Sequence, residues 1–227
     1  MPNSNRLSLL ASFLLMIALP LALGQAMLTS LGKLHMSPNF AILTLIAIVV
    51  GGAINIPVKR IVREQPVWSH PLTIWGLDRS LPRWTIRRRE TIIAVNVGGC
   101  MIPLGIALFQ IAYLSRLGPD VAWGTSLAVA IDIFVCYLAA RPVPGVGIVM
   151  PGFVSPAAAA SAALLLVPDA APSAAFVAGV LGPLVGADFL HIHDLIRNPR
   201  GVGVASIGGA GTFDGIVLSG ILATVLA

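Results

Sequence analysis

The sequence has 227 residues, of which 57% are hydrophobic and only 10% are charged, and its formal net charge is +5. A water-soluble domain of this length could not cover so much apolar surface with so few charged residues. The composition therefore excludes a water-soluble domain and predicts an integral membrane protein whose solvent is the lipid bilayer.

Seven apolar stretches approach the roughly 20 residues that a helix needs to span a bilayer. We predict an all-α fold, a polytopic bundle of about seven transmembrane helices that forms one domain over residues 1–227. The first stretch also resembles a cleavable signal peptide, and we expect it to be retained. The predicted spans are 7–28, 40–56, 91–114, 121–140, 153–167, 173–192 and 205–227.

Basic residues are distributed unevenly between the loops that these spans define. Twelve of the fourteen lie on one side, and only Lys33 and Arg116 lie on the other. Loops rich in Lys and Arg stay in the cytoplasm. We therefore expect the amino terminus in the cytoplasm and the carboxyl terminus outside.

The longest polar segment covers residues 58–90, which we predict to be a basic cytoplasmic loop. Eight Lys and Arg residues alternate there with Trp68, Trp75 and Trp84. Cationic and indole side chains both favour the headgroup layer. We expect the loop to set the topology by lying on anionic lipid. Binding of a protein or a nucleic acid is the less favoured alternative, and we predict no nucleic-acid partner.

A shift of 56 residues aligns region 121–167 with region 177–223 and matches Asp132 with Asp188. The register has no gap, and aspartate is rare within apolar sequence. We therefore predict an internal duplication, with coincidence among Val, Ala and Gly as the alternative. Because each unit would cross the membrane twice, the repeat would be parallel.

Each unit contains a segment rich in Gly and Pro, at 141–152 and 201–211. These segments are too apolar for ordinary loops and too rich in helix breakers for regular helix. Non-helical backbone at membrane depth persists only where protein or a watery cavity satisfies its polar groups. We predict discontinuous or re-entrant segments that line an internal site, with short turns and tight packing of small residues as the alternative.

Asp132, Asp188 and Asp214 lie within apolar stretches, where an ionised carboxylate is costly unless it is paired, hydrated or protonated. Asp132 precedes Arg141 by nine residues and Asp188 precedes Arg197 by the same interval, which is about 13 Å of helix. Both carboxylates are therefore expected at one depth near the middle of the bilayer. If they meet they would share a proton, as in a proton relay or an aspartyl hydrolase.

Asp214 follows the glycine run at 208–211, which would expose backbone amides and carbonyls to a ligand. It is the best single candidate for a binding position, and capping of the last helix is the structural alternative. Asn55 and Asn96, beside pairs of glycines, are candidate amide ligands, although buried Asn more often joins helices by hydrogen bonds.

The segment His191-Ile-His193-Asp194 invites a metal-site interpretation. On a helix, however, residues two apart do not face each other, so His193 points away from the face that His191 shares with Asp188. We predict no metal site and no cofactor. The candidate ligand- or ion-binding residues are Asp188, Asp214, Asn96, Asn55, Arg141 and His191.

Five motifs, at 52–57, 95–99, 140–148, 186–190 and 206–215, occur along the chain, and the last reads Ser206-Ile-Gly-Gly-Ala-Gly-Thr-Phe-Asp-Gly215. Together they resemble a bacterial and archaeal membrane family, domain of unknown function 1614. The resemblance extends from about Ala41 to the carboxyl terminus. It implies a prokaryotic inner (plasma) membrane protein with no assigned activity. Asp132 lies outside these motifs, so the resemblance favours Asp188 and Asp214.

A weaker similarity is to intramembrane aspartyl proteases, whose second catalytic Asp follows Gly-x-Gly. Here Val185-Gly-Ala-Asp188 has Ala in place of the nearer Gly. The first catalytic Asp of such an enzyme would be Asp132. The later Pro-Ala-Leu element of those proteases has no counterpart after Asp188.

Three functions stay open. The favoured one is a transporter or channel in which Asp188 and Asp214 bind a proton or monovalent cation that drives a small solute. The second is an intramembrane hydrolase with Asp132 and Asp188 as acid and base. The third is a non-catalytic assembly or lipid-binding subunit whose glycine-rich helices pack against partners.

Overall fold

The computed structural model describes residues 3–69, 83–143, 147–192, 204–209 and 214–227. Every predicted apolar stretch contains a helix in this structure. Two short π-helical segments, in which the backbone turns are wider than in an α-helix, also occur: π1 (Val97–Met101) and π2 (Gly182–Phe189). The α-helices are α1 (Asn3–Lys33), α2 (Pro38–Gly51), α3 (Ile102–Leu117), α4 (Pro119–Ala139), α5 (Val154–Leu166), α6 (Ala171–Leu181) and α7 (Gly215–Leu226).

Three helical segments of the described chain are long and apolar enough to cross a membrane. They are Val97–Leu117, Pro119–Ala139 and Pro168–Ile192. Two of them combine α-helix with π-helix, since π1 leads directly into α3 and α6 leads directly into π2. The structure thus supports an integral membrane protein, and the number of seven spans stays a prediction.

A three-stranded sheet corrects the prediction of an all-α fold. β1 (Asn55–Ser69) pairs antiparallel with β2 (Arg83–Asn96), and β5 (Val204–Ile207) lies parallel to β2. In its described part, the segment 58–90 is therefore a long β-hairpin and not a loop. The hairpin extends from the Asn55–Asn96 pair to the Ser69–Arg83 pair, and residues 70–82 lie outside the described residues.

The predicted span 91–114 divides at Val97, where β2 gives way to π1. Ile92, Ile93 and Val95 in its first part are β-branched, and such side chains favour extended backbone. Hydrophobicity alone does not distinguish a buried strand from a helix. This is why the sequence prediction extended the helix into β2, and it extended the last helix into β5 for the same reason.

The Gly/Pro-rich segments contain short strands in their described parts. Within 141–152, β3 (Arg141–Val143) and β4 (Gly147–Val149) form a short antiparallel hairpin, with 144–146 outside the described residues. In the second segment, 201–203 and 210–211 also lie outside them. Re-entrant segments therefore stay a prediction, and in the described chain the irregular helical backbone occurs at π1 and π2.

The helix α6 lies at the centre of the bundle. All eight residues from Ser173 to Val180 are buried, and α3, α4, α5 and α7 contact it. A helix that is apolar all round is expected to be enclosed by protein or lipid. At Gly179 a Cβ atom would lie 2.8 Å from the Ser219 carbonyl oxygen, so α6 and α7 approach with their backbones nearly in contact.

The first and last helices are joined by a lysine. Lys33 Nζ, at the end of α1, donates hydrogen bonds to the carbonyls of Thr224 (3.2 Å) and Val225 (3.1 Å) at the end of α7. The last carbonyls of a helix lack partners within the helix, and a cation there also interacts well with the helix dipole. In addition, Gln110 Nε2 on α3 donates to the Leu34 carbonyl (3.0 Å). The end of α1 is thus part of the folded bundle.

The crossing of π1 over the end of α2 yields a first prediction. A Cβ atom at Gly98 would overlap the Ile48 carbonyl oxygen and the Gly52 amide nitrogen, and backbone cannot move aside as a flexible side chain can. We expect Gly98→Ala to lower the free energy of unfolding by about 1–3 kcal/mol, the usual cost of overpacking. Thermal unfolding in detergent, followed by a thiol-reactive dye that reports exposure of the buried Cys100 and Cys136, measures this.

The matched control is Gly105→Ala in the same membrane-length segment. No atom lies within 4 Å of the Cβ position there, so this variant should melt at or above the parent temperature. Equal melting temperatures for the two variants would contradict the close approach at Gly98.

Candidate functional site

Asp188 and Asp214 come together where π2 ends and α7 begins. The two carboxylates lie within electrostatic range of each other, and both lie within range of the Cys100 thiol on π1. Both aspartates are half-buried. The structure therefore brings two candidates from separate elements into one acidic pair.

Asp188 is positioned by π2, which is pressed against α4. A Cβ atom at Gly186 would overlap the Ile133 carbonyl oxygen and lie 2.9 Å from Cys136 Cβ. Only glycine permits this approach of two backbones. No described residue donates a hydrogen bond to the Asp188 carboxylate. The charge that interacts with this carboxylate is that of Asp214.

Asp214 is held by the start of α7. Its backbone is extended, with φ −70° and ψ 148°, and its Oδ1 accepts a hydrogen bond of 3.0 Å from the Ile216 amide. This is the geometry of a helix N-cap, in which a side-chain oxygen satisfies an amide that has no partner within the helix. The cap therefore fixes one carboxylate oxygen of Asp214 at the positive end of the α7 dipole.

Cys100, whose thiol lies within electrostatic range of both aspartates, was not among the predicted site residues, and Gly208 was considered only as part of the glycine run at 208–211. Gly208 has φ +71°, and a Cβ atom there would lie 2.7 Å from the Gly99 carbonyl carbon and 2.8 Å from the Cys100 amide nitrogen. The turn after β5 therefore packs directly on π1. In the sequence, one glycine of a glycine-rich segment does not indicate such a contact. A single cysteine does not indicate which residues lie beside it.

Asn55 and Asn96 lie in a hydrogen-bond network at the end of the sheet. Asn96 is fully buried, and its Nδ2 donates to the Gly52 carbonyl (2.8 Å) and to Asn55 Oδ1 (3.0 Å). Its Oδ1 accepts from the Gly99 amide (2.7 Å) and so caps π1. Ser206 Oγ on β5 also donates to Asn55 Oδ1 (2.6 Å). These amides join α2, the sheet and π1.

His191 and Arg141 lie apart from this network. His191 is buried, with its Nδ1 3.2 Å from the Gly186 carbonyl oxygen and 3.1 Å from that of Ala187. Both partners are acceptors, so Nδ1 carries the hydrogen. Arg141 is exposed at the start of β3.

His193 and Asp194 of the metal-site interpretation, and Arg197, lie outside the described residues. Within the described ranges, no group of three or more His, Cys, Asp or Glu side chains could hold a metal ion.

Asp132 occupies a different environment from Asp188. It is fully buried in α4, and its Oδ2 accepts a hydrogen bond of 2.7 Å from Ser155 Oγ on α5. The two aspartates that the sequence places at equal positions thus have different partners, Ser155 for one and the Asp214 charge for the other.

A family model described as "Protein of unknown function (DUF1614)" matches residues 49–226. The chain belongs to the DUF1614 family. The resemblance inferred from the five motifs is therefore confirmed. The match includes the sheet and every candidate site residue, whereas α1 and most of α2 precede it. No curated protein and no solved structure is significantly similar to the chain.

The network around Asn96 yields a second prediction. Replacing Asn96 by Ala would leave the Gly99 amide and the Gly52 carbonyl without this partner in a buried region. We expect the free energy of unfolding to fall by about 1–3 kcal/mol, because a buried polar group loses its hydrogen bond. Titration with a denaturing detergent, followed by tryptophan fluorescence, measures the change.

Ser126→Ala serves as the control for this measurement. Its hydroxyl donates to the Ala122 carbonyl on the exposed side of α4, where lipid or solvent surrounds it. The control should unfold within about 0.5 kcal/mol of the parent, as surface substitutions usually do. An Asn96→Ala protein as stable as Ser126→Ala would show that the network does not hold π1 in place.

Proposed function

We propose that this DUF1614 protein is an ion- or proton-coupled transporter or channel of the prokaryotic inner membrane. In this proposal Asp188 and Asp214 bind the coupling proton or monovalent cation. The observation that carries it is the convergence of these two carboxylates, from separate elements, at the end of a membrane-length helix.

Electrostatics supports an ion at this position. Two carboxylates in an apolar bundle repel each other, and a proton or a small cation between them removes the repulsion. No basic side chain of the described residues forms an ion pair with Asp188. A proton or a small cation close to Asp188 would offset its repulsion with Asp214.

The backbone around the pair also suits ion binding. π-Helical turns leave carbonyls outside the regular hydrogen-bond ladder and are frequent at functional sites. Transporters commonly place their ion sites at such interruptions of membrane-spanning helices. Here π2 carries Asp188, and π1 carries the neighbouring Cys100.

The proposal includes the topology and the duplication inferred from the sequence. The amino terminus would lie in the cytoplasm and the carboxyl terminus outside, with the basic hairpin on the cytoplasmic face. In element order, α4, β3–β4 and α5 correspond to α6 with π2, β5 and α7, which supports a parallel repeat. A small solute would move with the ion.

The hydrolase alternative requires Asp132 and Asp188 to act on one water molecule. The hydrogen bond of Asp132 to Ser155, and its complete burial, argue against this use of the carboxylate. The alternative of a non-catalytic assembly subunit agrees with the close glycine packing, and the flux experiment separates it from transport.

The test is proton and sodium flux in proteoliposomes that contain a pH-sensitive or sodium-sensitive dye. We expect Asp188→Asn and Asp214→Asn each to reduce the flux to the level of empty vesicles, because each removes one charge of the pair. Asn is as good an N-cap as Asp, so Asp214→Asn should keep α7 intact.

Asp169→Asn is the matched control. Asp169 is exposed at the opposite end of the same membrane-length segment, and its substitution should leave the flux at the parent level. Parent flux that survives both site substitutions would contradict the site. No parent flux under either gradient would contradict transport, and cleavage of membrane-spanning peptides would then test the hydrolase.

A further inference from the structure

A second buried acid lies away from the Asp188–Asp214 pair. Asp132 has a relative exposure of 0%, and its Oδ1 has no hydrogen-bond partner among the described residues. Its other oxygen, Oδ2, lies 2.7 Å from Ser155 Oγ. The carboxyl group is therefore satisfied on one side only.

The contact with Ser155 continues into a chain of polar groups that crosses three helices. Ser155 on α5 is fully buried, and its Oγ is within hydrogen-bond distance of Ser219 Oγ on α7, which is also buried. Asp132 contributes the third group from α4. Each hydroxyl can donate or accept, so the chain can point in either direction.

Among the residues that the structure describes, the groups that face the Asp132 carboxyl carry no positive charge. They are Ser155 from α5, the Cys136 thiol one turn along α4, and Gly182 from π2. Ser219 from α7 reaches it through Ser155. A Cβ atom at Gly182 would overlap Oδ2, so π2 packs directly against this oxygen.

We propose that Asp132 binds a proton and, together with Ser155 and Ser219, forms a proton-binding site separate from the Asp188–Asp214 pair. In the loaded state the protonated Oδ2 of Asp132 donates a hydrogen bond to Ser155 Oγ, and the Ser155 hydroxyl donates a hydrogen bond to Ser219 Oγ. Oδ1 is then a neutral carbonyl oxygen, which tolerates the lack of a partner better than the oxygen of a carboxylate does.

Release of the proton reverses the chain. Ser219 then donates to Ser155, and Ser155 donates to the Asp132 carboxylate. The site thus has two hydrogen-bond arrangements that differ by one proton, and both use the same heavy atoms. The segment π2 packs on this carboxyl through Gly182 and carries Asp188 near its other end. One short helix therefore connects the site to the acidic pair.

The test is infrared spectroscopy of the full chain in lipid at neutral pH. A protonated carboxylic acid gives a C=O stretching band that a carboxylate lacks. We expect Asp132→Asn to remove one such band. Asp120→Asn, an exposed position in the first turn of the same helix, should leave that band in place.

Ser155→Ala provides a second readout that keeps Asp132. The acid then loses its hydrogen-bond acceptor, so its C=O band should move in frequency without disappearing. If the spectrum of Asp132→Asn retains every protonated-carboxyl band of the parent, the proposal is overturned. If Asp132→Asn does not fold, an unshifted spectrum of folded Ser155→Ala would overturn it instead.

The result does not depend on the flux assay. The band can be present in a protein that moves no ions, and flux through Asp188 and Asp214 can occur without the band. Addition of sodium at constant pH should also leave the band intact, because Gly182 packs directly against Oδ2 and the proposed ligand is a proton. Loss of the band with sodium would overturn the assignment of the proton as the ligand.

Discussion

Direct contact between backbones at glycine is the constraint on which the rest of this structure depends. In lipid every backbone polar group needs a partner within the protein, so irregular helix survives only where other protein encloses it. Gly98 places π1 on the end of α2, Gly208 places the turn after β5 on π1, and Gly186 places π2 on α4. A side chain at any of these positions would push π1, which carries Cys100, or π2, which carries Asp188, away from the element it packs on.

The segment π2 connects the two acidic environments. Its first residue, Gly182, lies against the buried Asp132, and Asp188 near its end faces Asp214. The eight residues of π2 therefore link a carboxyl group that is hydrogen-bonded to Ser155 to a carboxylate within electrostatic range of a second carboxylate. A change in the packing of π2 on α4 would alter both environments together, whereas a change in the capping of α7 would alter only Asp214.

Hydrophobicity predicted the positions of the helices well, because each apolar stretch does contain one. It failed at their ends. Ile92, Ile93 and Val95 are as apolar in a strand as in a helix, and only their β-branching indicates β2. Asp188 and Asp214 could be singled out because charge is rare in apolar sequence. Their approach to each other and to Cys100 could not, since it depends on glycine contacts between segments far apart in the chain.

Under the predicted duplication, the two aspartates at matching positions are accompanied by different residues in their two units. With the shift of 56 residues, Ser155 of the first unit corresponds to Gly211, and Asp214 of the second corresponds to Ala158. In the first unit the acid therefore keeps a hydroxyl partner and gains no second charge. In the second unit Gly211 has no hydroxyl group, and a carboxylate is present three positions later, at Asp214.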